Sequence, residues 1–258
     1  MNKSIDTNEI YKCLNLFRSV SLQEMQDAAL MDRVDTKFVA SVGLMTGILT
    51  DLVECYKVLE IDGEREFLYR TNYFDTTGYD MYEAHQNGKL NRYKVRQREY
   101  VSSGLHFLEV KFKNNKRRTI KKRIERNDNT CFSHPELDFI NENTPYKSEE
   151  LELKLSNSFH RITLVGIHER VTIDFGLSFT DNNGFKESFH HIAIIELKQL
   201  KYSPTTVAMN TLRKYKVKPQ SFSKYCLGAA SFNDTIKANR MKPKLELLHK
   251  IASTFDEK

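Results

Sequence analysis

The chain has 258 residues, and 40% of them are hydrophobic, which is enough to bury the core of one large domain or two small ones. The formal net charge of +6 is unevenly placed, because residues 89–126 hold 14 Lys and Arg against 3 Asp and Glu, whereas the rest of the chain holds 26 against 31. Such a focused positive field indicates a bound anion and argues against a general basic coat that adheres to nucleic acid or membranes.

The four cysteines indicate neither a zinc site nor a disulfide framework. Cys13, Cys55, Cys131 and Cys226 lie far apart without CxxC or Cys/His ligand spacing, so we expect free thiols in a reducing compartment. The first twenty residues contain no signal peptide, and no stretch approaches about 18 consecutive apolar residues, so we expect no transmembrane segment. These features predict a cytoplasmic protein.

The first part of the chain predicts helices over 22–30 and 43–55 and strands over 33–38, 56–61 and 65–75. Ser21 followed by Glu24 is a capping-box pattern at the start of the first helix. Asp62-Gly63 is a hairpin turn signal, so the two strands that flank it are expected to pair with each other. Residues 79–85 are read as a short helix or a loop.

Three consecutive strand patterns in the basic region place their charges on one face. Side chains alternate between the two faces of a strand. In the first run the cations occupy every second position, at Arg92, Lys94, Arg96 and Arg98. In the second run one face carries Glu109, Lys111 and Lys113, and the opposite face carries Leu108, Val110 and Phe112. In the third run Lys121 and Arg123 share a face. Turn-type residues at 102–104 and 114–115 predict an antiparallel meander.

The last part of the chain predicts a helix over 134–156, strands over 161–165, 170–180 and 192–200, and helices over 205–215 and 242–255. No repeat or linker divides the chain, so residues 1–258 are expected to form a single α+β domain on about eight antiparallel strands. About eight strands is also the size at which a sheet closes into a narrow barrel.

Two arrangements satisfy the alternation of charged and apolar residues. In the first, the apolar faces form a core and the charged faces meet water. In the second, the apolar faces pack outward against helices, and the charged faces enclose a positive tunnel. Five strands place charged residues on one face and apolar residues on the other, which favours the tunnel. Because burying unpaired cations costs several kcal/mol each, such a tunnel requires carboxylates and a bound polyanion, for which we expect phosphate.

The residues also resemble a known family. The segments 32–38, 71–76, 85–98, 107–113, 117–123, 168–170, 195–198 and 223–225 follow one another as in that family. The chain is similar to the polyphosphate polymerase domain of the vacuolar transporter chaperone (VTC) complex in its stand-alone bacterial form. This domain belongs to the CYTH-like superfamily of triphosphate tunnel metalloenzymes. The resemblance implies an eight-stranded antiparallel β tunnel with a polar, basic lumen and flanking helices, with a core at about 21–230.

The resemblance also implies a set of site residues. The phosphate-binding residues that it implies are Lys37, Arg96, Arg98, Lys111, Lys113, Lys121, Arg123, Arg170, Ser223 and Lys224. Among them, Arg96, Arg98, Lys111 and Lys224 are assigned to catalysis. Glu196 falls at the position of the metal-binding glutamate, which implies Mg²⁺ or Mn²⁺ as cofactor. At the positions of the superfamily's ExExK pattern this chain has Arg33, Asp35 and Lys37. The first strand therefore offers one carboxylate at most, which disfavours a two-metal hydrolytic arrangement.

The function that the resemblance implies is a metal-dependent polyphosphate polymerase, which transfers the γ-phosphate of ATP to a growing polyphosphate chain. A tunnel triphosphatase acting on inorganic or organic triphosphates is one alternative, and a non-enzymatic polyphosphate or nucleotide sensor is another. The expected partners are ATP or another triphosphate and polyphosphate, and a membrane-protein partner stays open. Nucleic acid is not expected, because base stacking requires aromatic residues among the cations, and Tyr93 lies on the opposite face.

Overall fold

A ten-stranded sheet organises the part of the chain that this computed structural model describes, namely residues 7–27, 33–116, 118–126 and 131–256. The strands are β1 (Arg18–Val20), β2 (Val34–Ser41), β3 (Lys57–Leu59), β4 (Phe67–Thr76), β5 (Arg92–Tyr100), β6 (Leu105–Lys113), β7 (Thr119–Arg126), β8 (Leu151–Gly166), β9 (Glu169–Asp181) and β10 (Lys186–Gln199). The helices are α1 (Thr7–Asn15), α2 (Leu22–Asp27), α3 (Met45–Leu52), α4 (Asp80–Gln86), α5 (His134–Asn143), α6 (Val207–Lys214), α7 (Lys224–Phe232) and α8 (Lys242–Asp256).

Eight strands form one antiparallel path in the order β2-β10-β9-β8-β4-β5-β6-β7. The short strand β1 pairs with β3 in parallel, and β3 also pairs with β8. Within the described residues no pairing joins the two end strands β2 and β7, so hydrogen bonds do not close the sheet. Side chains from β2, β10, β5 and β6 nevertheless line one common cavity, so the sheet is rolled. This confirms the predicted α+β fold with an antiparallel, tunnel-like sheet.

The apolar faces of the strands point outward, as the tunnel arrangement predicts. Ile173 and Leu197 lie in a buried cluster with residues of α1, α3 and α6. Val95 and Val110 lie in a second cluster with Ile140 of α5. Since side chains alternate along each strand, the charged residues between these positions face the interior of the rolled sheet. We call this surface the inner face.

Helix α7 fills part of the rolled sheet from within. Its apolar residues join a buried cluster that includes Leu155, Phe159 and Phe179 of β8 and β9. A Cβ at Gly228 would overlap the side chains of Leu155 and Phe179, so only glycine permits this close approach of helix and sheet. The sequence patterns did not predict α7, although the family resemblance singled out Ser223 and Lys224 at its start.

The structure differs from the prediction in one helix and in one hairpin. The helix predicted over 134–156 ends at Asn143, because Pro145 disfavours helical backbone at the preceding residue, and Thr144 is extended. Strand β8 then begins at Leu151, so the residues from 151 onward are strand and not helix.

The hairpin predicted around Asp62-Gly63 is limited to the turn, in which Ile61 and Glu64 exchange hydrogen bonds. Strand β3 does not pair with β4. Arg65 next to the turn donates through Nη1 to the carbonyl oxygens of Leu14 (2.6 Å) and Phe17 (3.2 Å). These bonds hold the chain against the end of α1.

The remaining predicted elements are present, with ends that differ by a few residues, and the capping box of Ser21 and Glu24 at α2 is formed. Residues 28–30 of the first predicted helix lie outside the described residues. All four cysteines have free thiols. Among the described helices none combines the length and the apolar character needed to span a membrane.

Candidate functional site

A cavity of about 380 Å³ opens on the inner face. One wall carries Asp35 and Lys37 of β2 and Glu196 of β10, and the facing wall carries Lys94 of β5 and Lys111 of β6. Residues that close the cavity come from the segment before α7, from α4 and from the start of α8, and they include Ser221, Phe222, His85, Arg240 and Lys244. The cavity is therefore strongly basic and is lined by both ends of the sheet.

Three carboxylates of the inner face are each shared between two cations. Glu109 accepts from Arg96 Nε at 2.6 Å and also pairs with Lys121. Asp174 accepts from Arg161 Nε at 2.6 Å and also pairs with Lys224. Glu196 pairs with Lys198 at 2.6 Å and with Lys37 at 3.6 Å. These pairs join neighbouring strands of the sheet, namely β5 to β6 and β7, β8 to β9, and β2 to β10, and Lys224 joins α7 to β9.

The same pairs keep the three carboxylates ionised. Burial alone would raise the pKa of Glu109, but the charges of Arg96, Arg98 and Lys121 hold it well below the usual range. The pKa values of Asp174 and Glu196 are lowered against burial in the same way, by Arg161 and Lys224 and by Lys198 and Lys37 respectively. All three groups therefore act as fixed negative charges in the tunnel.

Lys94 and Lys111 stand directly opposite each other on β5 and β6, and within the described residues neither forms an ion pair with a carboxylate. Burial, together with neighbouring cations such as Lys37 and Arg96, lowers the pKa of Lys94 to about 8 and that of Lys111 to about 7. Lys94 Nζ donates to Ser223 Oγ at 2.7 Å. Two partly neutralised ammonium groups without a counter-charge are suited to an anionic ligand.

Arg98 lies deeper on the same strand and is only 7% exposed. Its guanidinium stands 5.7 Å from the ring centroid of Tyr69, and Nε donates to Thr71 Oγ1 at 3.5 Å. Burial first, and then the charge of Arg96, lower its pKa. The group is held by packing and by one long hydrogen bond, so it can form stronger bonds to a phosphate oxygen.

A buried carboxylate anchors the helix that brings Lys224 and Ser223 into the tunnel. Asp75, which is fully buried, accepts hydrogen bonds from the backbone N–H groups of Met81 (2.9 Å) and Tyr82 (2.9 Å) at the start of α4. It also accepts from the hydroxyl of Tyr225 on α7 at 2.5 Å. Asp75 thus fixes two helices that each contribute a side chain to the inner face.

The structure brings most of the predicted site residues together on the inner face, and their roles in binding phosphate stay predictions. Those that meet there, or at the start of α7 beside it, are Lys37, Arg96, Arg98, Lys111, Lys121, Glu196, Ser223 and Lys224. Lys113 lies on the cavity lining next to Arg92. Arg123 stands opposite Glu109 in the register of β6 and β7, but its side chain is exposed and its guanidinium stacks on Phe107 at 4.3 Å. Arg170 donates to the carbonyl oxygen of Met25 at 2.9 Å.

Sequence reasoning did not assign four residues of the cluster to the site. Lys94 is on the strand that the alternation identified, and its opposition to Lys111 could have been found from the predicted meander. Lys198 lies two residues after Glu196, on the same face of β10. Arg161 and Asp174 both lie in predicted strands, but the register that pairs them across β8 and β9 was not predicted.

The residues that could hold a metal ion are Glu196 and Asp35, whose carboxylates both line the cavity. Among the described residues there is no group of three or more His, Cys, Asp or Glu side chains arranged for a metal. Mg²⁺ is typically held by one or two carboxylates together with waters and substrate phosphates. The donor set therefore fits a divalent cation that binds together with a phosphate ligand.

A rolled antiparallel sheet with cations on its inner face defines a tunnel protein that is built to hold an anion. The VTC domain family model matches residues 32–233, so the chain belongs to the VTC family. No curated protein sequence matches the chain.

Solved structures show a similar fold at low sequence identity. A "putative adenylate cyclase" from Bacillus halodurans is 12% identical, covers 75% of this chain and 94% of its own, and has a TM-score of 0.51. A "putative adenylate cyclase" from Vibrio parahaemolyticus is 13% identical, with coverages of 76% and 97% and a TM-score of 0.44. A protein from Hippeastrum, described as a "putative adenylyl cyclase" with a dominant triphosphatase activity, is 12% identical, with coverages of 77% and 96% and a TM-score of 0.43.

Proposed function

We propose that the protein is a polyphosphate polymerase that transfers the γ-phosphate of ATP to the end of a growing polyphosphate chain inside the tunnel. Membership of the VTC family supports an enzyme that acts on triphosphates. The cations of the inner face outnumber its carboxylates, and Lys94 and Lys111 form no ion pair with a described carboxylate. A bound phosphate chain supplies the negative charge that this surface lacks.

One observation supports a phosphate group, and not water, as the acceptor of the γ-phosphate: the carboxylates of the inner face are already paired with cations. Glu109, Asp174 and Glu196 are each engaged by two cations, and Asp35 pairs with Arg33 at 3.0 Å. A hydrolase needs a group that orients or deprotonates water. A phosphate or polyphosphate terminus is already ionised and needs no general base, so the tunnel suits such an acceptor better than water.

The chain's own residues would act by positioning and by charge. Phosphoryl transfer proceeds through a loose transition state, so the protein performs little covalent chemistry. Lys37, Lys94 and Lys111 would neutralise the phosphate oxygens in the cavity, and the guanidinium groups of Arg96 and Arg98 would bind oxygens deeper in the tunnel. Glu196, with Asp35, would hold Mg²⁺ or Mn²⁺, and this cation would neutralise charge on the transferring phosphate when bound.

A tunnel triphosphatase is the second candidate, because two carboxylates, Asp35 and Glu196, lie on the same cavity wall. The products distinguish the candidates. Purified protein is incubated with ATP and Mn²⁺, and ADP, free phosphate and polyphosphate are measured together. The proposal predicts that ADP exceeds free phosphate and that the difference is recovered as polyphosphate. Equal ADP and phosphate without polymer would establish the triphosphatase. Triphosphate binding without turnover, with any divalent metal, would establish a sensor.

A further inference from the structure

One end of the cavity is built partly from residues beyond the matched VTC domain. The match ends at residue 233, whereas Arg240, Met241 and Lys244 line the cavity together with His85 and Arg92. We call this end the mouth. The mouth therefore combines residues of the matched domain with residues of α8 and of the segment before it.

The segment just before α8 is held against α4 by specific contacts. The hydroxyl of Tyr82 donates to the carbonyl oxygen of Lys237 at 3.0 Å. With its amide oriented to satisfy both neighbours, Gln86 accepts from the backbone N–H groups of Arg240 (2.8 Å) and Asn239 (3.0 Å). The guanidinium of Arg240 packs on Gly88, where any Cβ would overlap it. These contacts place the cations of the mouth at fixed positions.

The mouth carries positive charge that no described carboxylate neutralises. Arg92, Arg240 and Lys244 form no ion pair with a carboxylate of the described residues. His85 stands among them as a neutral imidazole, because burial and then the charges of Lys94, Arg92 and Lys244 lower its pKa to about 2. Its Nδ1 is buried and has no hydrogen-bond partner among the described residues.

We propose that His85, Arg92, Arg240 and Lys244 form a second anion subsite, which binds the part of a linear phosphate chain that extends beyond the three phosphates held in the tunnel. This inference rests on the proposed function and names a further subsite for its polymeric substrate. The cations match phosphate oxygens, and the free ring nitrogen of His85 can bond to the same ligand.

The other ligand that could occupy the mouth is the nucleoside part of a bound ATP, and the residues that line the mouth favour the phosphate chain. A nucleobase would need an open aromatic face on which to stack. The apolar residues of the lining do not provide one, because Phe222 and Met241 are buried and the ring of Tyr93 is stacked on Phe112 with centroids 4.5 Å apart.

The test compares binding of tripolyphosphate, ATP and long-chain polyphosphate at one fixed ionic strength. Arg240 is exposed and Lys244 is half-buried, so a variant with Arg240→Ala and Lys244→Ala should fold. Charge-assisted contacts of this kind change affinity by about tenfold or more each. We expect the ratio of long-chain to tripolyphosphate affinity to fall by about tenfold or more. Lys242→Ala removes one charge from an exposed position of the same helix, and it should leave the ratio at the value of the parent protein.

Two results would overturn the subsite. One is an unchanged ratio in the double variant while the parent binds all three ligands. The other is a loss confined to ATP, which would assign the mouth to the nucleotide. Because the test scores binding, it is independent of turnover. A parent protein that binds long chains through the mouth but makes no polymer would contradict the proposed function and support the subsite.

Discussion

Two lysines of the tunnel that have no carboxylate partner among the described residues should take up protons when a phosphate chain binds. In the free protein the pKa of Lys111 is lowered to about 7 and that of Lys94 to about 8, in each case chiefly because burial disfavours the ammonium form. A polyanion favours that form and raises both pKa values. Since the complex then binds more protons than the free protein, affinity should fall as the pH rises from 7 to 9.

The number of protons taken up on binding follows from the fraction of each lysine that is neutral in the free protein. At pH 8 Lys111, with a pKa of about 7, is mostly neutral and Lys94, with a pKa of about 8, is half neutral, so complete protonation of both takes up about 1.4 protons. Uptake of even one proton raises Kd about tenfold for each pH unit.

Isothermal titration calorimetry with tripolyphosphate at pH 8, in buffers of different ionisation enthalpy, measures this uptake directly. Lys111→Met should reduce it by about one proton and weaken binding. The matched control is Lys122→Met, because Lys122 is exposed and lies opposite Val110 on the outer face of β7, and this change should leave the uptake as in the parent. Binding without proton uptake, together with a constant Kd between pH 7.5 and 9, would refute the reasoning.

Two substitutions test the roles of individual groups. Glu196→Gln keeps the shape but removes the charge shared by Lys37 and Lys198, so metal-dependent turnover should fall at least about tenfold, whereas tripolyphosphate binding without metal should be unchanged or tighter. Equal turnover in mutant and parent would show that Glu196 serves only those two lysines. Arg98→Ala should weaken ATP or tripolyphosphate binding by about ten- to a hundredfold, since one charge-assisted contact contributes roughly 1.5–3 kcal/mol. Arg98→Lys should restore this only in part, because an ammonium lacks the planar fork, and full restoration would exclude bidentate binding.

The three basic strands could be predicted from sequence because their signal is local. Alternation alone places Arg96, Arg98 and Lys111 on one face, and the short turns make β5, β6 and β7 neighbours. The apolar partners on the opposite face then indicate which side packs against helices. Ser223 and Lys224 were found only through the family resemblance, since no periodic pattern identified α7.

The parts that sequence did not predict depend on contacts between distant residues. Arg161 meets Asp174 only in the register of β8 and β9, which the separate predicted strands over 161–165 and 170–180 do not fix. Asp75 ends a predicted strand, and only its position between α4 and α7 in the structure makes it an anchor for both helices. The pairing of each carboxylate with two cations likewise follows from the rolled sheet and not from local spacing.

The central claim is that the tunnel transfers the γ-phosphate of ATP to a phosphate chain and not to water. It is tested most directly with ATP labelled in the γ-phosphorus, a short unlabelled polyphosphate primer and Mn²⁺, with the products separated by chain length. The account predicts label in chains longer than the primer, and loss of that label in Arg98→Ala at the same ATP concentration. Label that appears only in free phosphate, with the primer unchanged in length, would contradict it.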